Sequence, residues 1–138
     1  MKLPAYFTSL MLAVIALVGC GRDGPSIVPV EGRLTYNGKP VPNLRVYFQP
    51  TDGRVSWGDT DSQGKFRLDY DEDYDGAKVG NHKVYVVDAA TLDPTIQAPP
   101  GGKPPEYGPI LAKYGNIEIT PLTLEIKKAV YDLELKLD

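Results

Sequence analysis

From residue 28 to the C-terminus, apolar side chains recur at every second position in short runs. Each run is broken by Gly, Pro, Asn or Asp. In VPVEGRLTY (28–36), Val28, Val30, Leu34 and Tyr36 fall on one face, and Glu31, Arg33 and Thr35 on the other. A period of two with one apolar face predicts a half-buried strand. LRVYFQ (44–49) repeats the pattern with Leu44, Val46 and Phe48 inward. Further strands are predicted at 54–60, 65–70, 82–88, 121–127 and 131–137. Phe66, Leu68 and Tyr70 point inward in the first apolar-faced run of this set, then Leu122, Leu124 and Ile126, then Tyr131, Leu133, Leu135 and Leu137.

The breaks have turn chemistry. Asn37-Gly38 supplies the positive φ of a tight hairpin, and Pro40 and Pro42 are expected to stop pairing. In DSQG (61–64), Asp61 can accept hydrogen bonds from backbone amides just downstream, and Gly64 permits positive φ. No segment sustains a helical period. The pattern therefore predicts an all-β fold, a sandwich of seven strands. Residues 89–120 are the exception, a long loop containing APPGGKPPEYGP, which cannot pair as a central strand. Its far end carries Ile110, Leu111 and Tyr114, which predicts that this end packs onto the sandwich.

The N-terminus changes the compartment. Lys2 is followed by an uncharged stretch, Tyr6 to Val18, shorter than the roughly 20 apolar residues of a comfortable membrane span. It ends in Leu17-Val18-Gly19-Cys20, which resembles the bacterial lipobox. That resemblance implies a signal peptide over 1–19, a diacylglycerol on the Cys20 thiol and a lipidated tether over 20–27. Cys20 is the sole cysteine of the sequence, so no intrachain disulfide can form. Two or more acyl chains anchor stably where one does not. The expected location is the bacterial cell envelope, held to a membrane through the lipid on Cys20. Gly21, where the sorting rule of well-studied envelopes would place Asp for inner-membrane retention, favours the outer membrane, facing periplasm or exterior.

Charge narrows the partners. The formal net charge is −3 with signs interspersed, and no basic stripe stands out, so a nucleic-acid partner is not expected. DYDEDYDG (69–76) matches the start of an EF-hand loop at Asp71, Asp73, Asp75 and Gly76, but position twelve is His82, which cannot supply two oxygens. The plainer reading is a solvated turn whose charges discourage sticking. The sharper one is a weak calcium site from Asp71, Glu72, Asp73 and Asp75. His82 is the sole histidine, and its face matches Val84 and Val86, which predicts packing at the rim of the core. A zinc-peptidase site would want two histidines and a carboxylate, and no nucleophile motif surrounds Ser26, Ser56 or Ser62. No catalytic residues and no cofactor are expected. Tyr47 and Tyr85 alternate outward and Trp57 can join them, so one sheet could present an aromatic platform for a carbohydrate or peptide. Cross-strand packing is the alternative role for such residues.

VEGRLTYNGKPVPNLRVYFQP, GDTDSQGKFRL and VGNHKVYVV, in that order, resemble the carboxypeptidase regulatory-like family. The segment AKYGNIEITPLTLEIKKAVYDLELKLD resembles a tail common in small lipoproteins of this type, many of them from planctomycete-type bacteria. The resemblance covers nearly the whole chain after Cys20. It implies a transthyretin-like (prealbumin-like) Greek-key β-sandwich over 28–138 with no catalytic residues of its own. It suits a structural or interaction role toward an envelope protein or glycan. The chain departs from the family at His82, where a tyrosine is usual.

Overall fold

A computed structural model describes residues 24–138; the signal segment and Cys20 lie outside the described residues. The described chain is mostly β, in ten strands, with one α-helix and a single 3-10 turn at Ala89–Thr91. Strands β1 (Ile27–Val28), β2 (Val30–Tyr36), β3 (Lys39–Pro40), β4 (Leu44–Pro50), β5 (Ser56–Asp59), β6 (Lys65–Arg67), β7 (Ala77–Lys78) and β8 (Gly80–Asp88) come first. Helix α1 (Tyr107–Tyr114) follows, then β9 (Thr123–Ile126) and β10 (Val130–Leu137). The seven predicted strands are all represented. Three two-residue strands were not expected; in β3, Pro40 pairs with Thr35 rather than stopping the ladder, because β3 ends the sheet and its missing N–H costs no further pairing.

One sheet runs β5-β4-β8-β9, antiparallel throughout. In the other, β2 pairs with β10 on one side and with β6 and β3 on the other. The β2–β10 pair is parallel, so the chain closes this sheet by returning beside its first long strand. A small β1–β7 ribbon completes the set.

The predicted inward residues other than Tyr70 and Tyr131 make one core; Tyr70 is half-buried outside it, because its predicted strand ends at Arg67. Val30, Leu34, Leu44, Val46, Phe48, Leu68, Val84 and Val86 are fully buried in a single cluster with Phe66, Ile126, Leu135 and Leu137. Phe48 of one sheet meets Phe66 of the other at 6.3 Å between ring centroids, so the two sheets are layered over a shared interior. Burying side chains of this size contributes about 1.5–3 kcal/mol each.

The turns behave as their residues require. Asn37 and Gly38 both have positive φ, 49° and 80°, between the paired Tyr36 and Lys39. Asp61 Oδ1 accepts from the amides of Gln63 and Lys65 at 2.8 and 2.9 Å.

Two elements depart from the expectation. Tyr131 is 64% exposed rather than inward. Val130 pairs with Val30 and Leu133 with Gly32, so β10 carries one extra residue there. That bulge reverses the side-chain parity and turns Tyr131 out. The second departure is α1, inside the expected 89–120 loop. Tyr107, Ile110 and Tyr114 are buried on one side of it, and Leu111 packs partly against the same core. The Tyr107 hydroxyl donates to the Pro42 carbonyl, and the Tyr114 hydroxyl donates to Asp138 at 2.6 Å. α1 thus packs against β8 and is tied to the loop before β4 and to the C-terminal residue.

Candidate functional site

The outer face of the β5-β4-β8-β9 sheet brings the three predicted aromatics together. Trp57 lies directly opposite Tyr47, and Tyr47 directly opposite Tyr85. Directly opposed residues point to the same side, so the three form one row across β5, β4 and β8, about 10 Å wide at ordinary strand spacing. The rings of Tyr47 and Tyr85 stack at 4.9 Å with 14° between their planes, so each covers one face of the other. All three are half-buried. Burial, and secondarily the neighbouring Tyr47, push the Tyr85 phenol above its ordinary pKa.

Arg45 and Asp59 flank the row one outward position away. The Arg45 guanidinium sits 4.0 Å above the Trp57 ring. Its Nε and Nη2 donate to the two carboxylate oxygens of Asp59 at 2.7 and 2.9 Å. The hydrogen bonds to Asp59 raise the Arg45 pKa further, against the opposing effect of burial. This fork fixes a planar cation on the indole face.

On the other side of the row, Gln49, Lys83 and Thr123 are opposed across β4, β8 and β9, followed by Asn81 opposite Glu125. These five, with Pro50, Thr51, His82 and Leu124, line an open trough of about 550 Å³. Gln49 Nε2 donates to its neighbour's carbonyl at Pro50 (3.1 Å), which leaves the amide oxygen to meet whatever enters. Sequence reasoning found the aromatics but missed Arg45, Asp59 and these polar neighbours. Their outward parity with Tyr47 and Tyr85 was legible; the pairing register that makes them one face was not.

The aspartate loop adjoins the far end of the row. Trp57 bridges to Asp69, and Asp69 to Asp75. Within the loop, Asp71 Oδ1 accepts from the amides of Asp73 and Tyr74 at 3.0 and 2.9 Å, an Asx turn. Asp75 pairs with Arg67 at 2.8 Å. Glu72 and Asp73 are exposed. Among the described residues, no three His, Cys, Asp or Glu side chains converge closely enough to hold a metal ion.

His82 is buried, 2% exposed, against Phe48 at 5.8 Å between ring centroids. Its Nε2 lies 2.7 Å from the Lys78 carbonyl, which only accepts, so the ring proton sits on Nε2 in this contact. This is packing plus one hydrogen bond to the strand before it. Ser56, fully buried on the inward face of β5, is directly opposite Phe48.

No family model, curated protein or solved structure matches the chain. Among the described residues, no helix is long and apolar enough to cross a membrane.

Proposed function

We propose that this chain is a non-catalytic, lipid-anchored module of the bacterial cell envelope that recognises its partner through the outer face of the β5-β4-β8-β9 sheet. The single observation that carries the recognition role is the unbroken row Trp57–Tyr47–Tyr85, flanked by the Arg45–Asp59 fork. A side chain that served only cross-strand packing would need no fixed guanidinium beside it and no polar trough next to it.

The anchoring part rests on the sequence: Lys2, the uncharged stretch to Val18 and Leu17-Val18-Gly19-Cys20. On this reading Cys20 is the lipidation site, and Gly21 after it supports the outer membrane as the destination. The fold reading is transthyretin-like. β2, β4, β5, β6, β8, β9 and β10 serve as its seven principal strands, and the two-residue β1, β3 and β7 are additions to them. The ordered motifs of the carboxypeptidase regulatory-like family support this reading.

The test uses the whole chain with Cys20→Ser in detergent, so that neither a lipid nor the uncharged stretch from Tyr6 to Val18 carries it to membranes. It should sediment with purified envelope material, and Tyr47→Ala with Tyr85→Ala should release it while the far-ultraviolet spectrum stays that of a β protein. Sedimentation indifferent to the two tyrosines would remove the face from the account.

A further inference from the structure

We infer that the trough beside Tyr47 and Tyr85 is a binding site for a neutral, linear saccharide chain; the inference rests on the face being the recognition surface.

The argument begins with what the face can and cannot offer. The backbone groups of β4 are committed to ladders on both sides, with β5 and β8, and those of β8 at residues 80–83 to β4 and β9. A peptide therefore cannot add as a strand on this face, and a ligand must be read by side chains alone. The side chains are of both hydrogen-bonding senses. Gln49 presents an amide oxygen, Asn81 a full amide, Thr123 a hydroxyl, Lys83 an ammonium and Glu125 a carboxylate.

Their charges oppose one another. Lys83 and Glu125 stand on adjacent strands in neighbouring outward rows of the same trough. On the other flank, Arg45 is already matched by Asp59. Lys127 stands 3.9 Å from Glu125, so Lys83, Lys127 and Arg45 against Glu125 and Asp59 leave one net positive charge, too little to gather a polyanion. What remains is an aromatic wall, the Tyr47–Tyr85 stack one outward row from the trough, next to a mixed set of donors and acceptors. A pyranose ring has the complementary surface, with C–H patches for the aromatic wall and hydroxyls that both donate and accept. The open trough, about 550 Å³, suits a chain that passes across rather than a small molecule enclosed.

Trp57 makes the test direct, because it is the sole tryptophan of the sequence and stands in the row itself. The full chain, held in a zwitterionic detergent without a sugar headgroup, is titrated with cello-, manno-, xylo- and chito-oligosaccharides while Trp57 emission is followed. At least one should give a saturable change. Gln49→Ala and Lys83→Ala, both at outward positions of the sheet, should each weaken that response by about tenfold, the effect of losing one good hydrogen bond, while the far-ultraviolet spectrum stays that of a β protein. Emission indifferent to every oligosaccharide overturns the saccharide assignment, and so does a response that both variants leave intact. If the sugars are silent but envelope sedimentation still depends on Tyr47 and Tyr85, the face stands and its ligand is of another class. If that dependence is absent too, the recognition surface itself is lost.

Discussion

The Arg45 guanidinium lies 4.0 Å over the Trp57 ring, held there by a two-bond fork to Asp59. The side chains of Arg45 and Asp59 are 17% and 32% exposed, so water competes only partly for the pair. Asp59→Asn keeps the size of the side chain but removes the charge and one acceptor. It should cost about 1–2 kcal/mol in urea unfolding and shift the Trp57 emission as the cation loosens from the indole. Unchanged emission would mean that the fork does not hold the guanidinium in place.

Gly58 marks where β5 passes against the chain leaving β6. A Cβ at this position would stand 2.1 Å from the Arg67 carbonyl oxygen, which belongs to backbone and cannot swing away. The close approach lets residues 65–67 pair with β2 in one sheet while Asp69 pairs with Trp57 in the other. Gly58→Ala should therefore cost about 3 kcal/mol and disturb Trp57. Gly108→Ala, where nothing lies within 4 Å of the added atom, is the control and should leave stability near that of the parent.

Tyr107 ties α1 to the loop before β4 through its hydrogen bond to the Pro42 carbonyl. Burial first, then Asp88 and Glu106, push its phenol from 10.0 up to about 12. A raised pKa means that the folded state favours the neutral phenol. Its contribution is intact below pH 10 and is lost as pH climbs through about 12. Tyr107→Phe should lower stability by about 1–2 kcal/mol at neutral pH and flatten the alkaline fall in melting temperature. A parallel fall in both proteins would show that Tyr107 does not carry the effect.

For the aspartate loop, the expected outcome is indifference to calcium. Asp71 is engaged by two amides of its own turn and Asp75 by Arg67. Millimolar calcium should leave the melting temperature of the full chain unchanged, and Asp73→Asn should change nothing further. A calcium-dependent rise abolished by Asp73→Asn would instead establish Asp71, Glu72, Asp73 and Asp75 as a weak site.

Alternation in the sequence was enough to place Leu44, Val46, Phe48, Val84 and Val86 in the core, because period two leaves one choice of face once a strand is granted. Turn residues placed the Asn37-Gly38 hairpin for an equally local reason. Tyr131 was misplaced because a bulge has no signature in an alternating run. Helix α1 was legible in principle, since Tyr107, Ile110, Leu111 and Tyr114 follow the i, i+3, i+4, i+7 spacing of a helix face. The proline tract before it hid the signal, although Pro109 falls in the first turn, where proline costs no hydrogen bond. The aromatic row was guessed from outward parity. Its contiguity depends on register between strands distant in sequence, which no local pattern encodes.

The measurement closest to the central claim is an amide chemical-shift map of the Cys20→Ser chain as solubilised envelope fragments are added. The account predicts that the largest shifts cluster on residues 45–49, 56–59, 81–87 and 123–125. Shifts gathered instead on the β10-β2 sheet or on the proline-rich segment before α1 would contradict it.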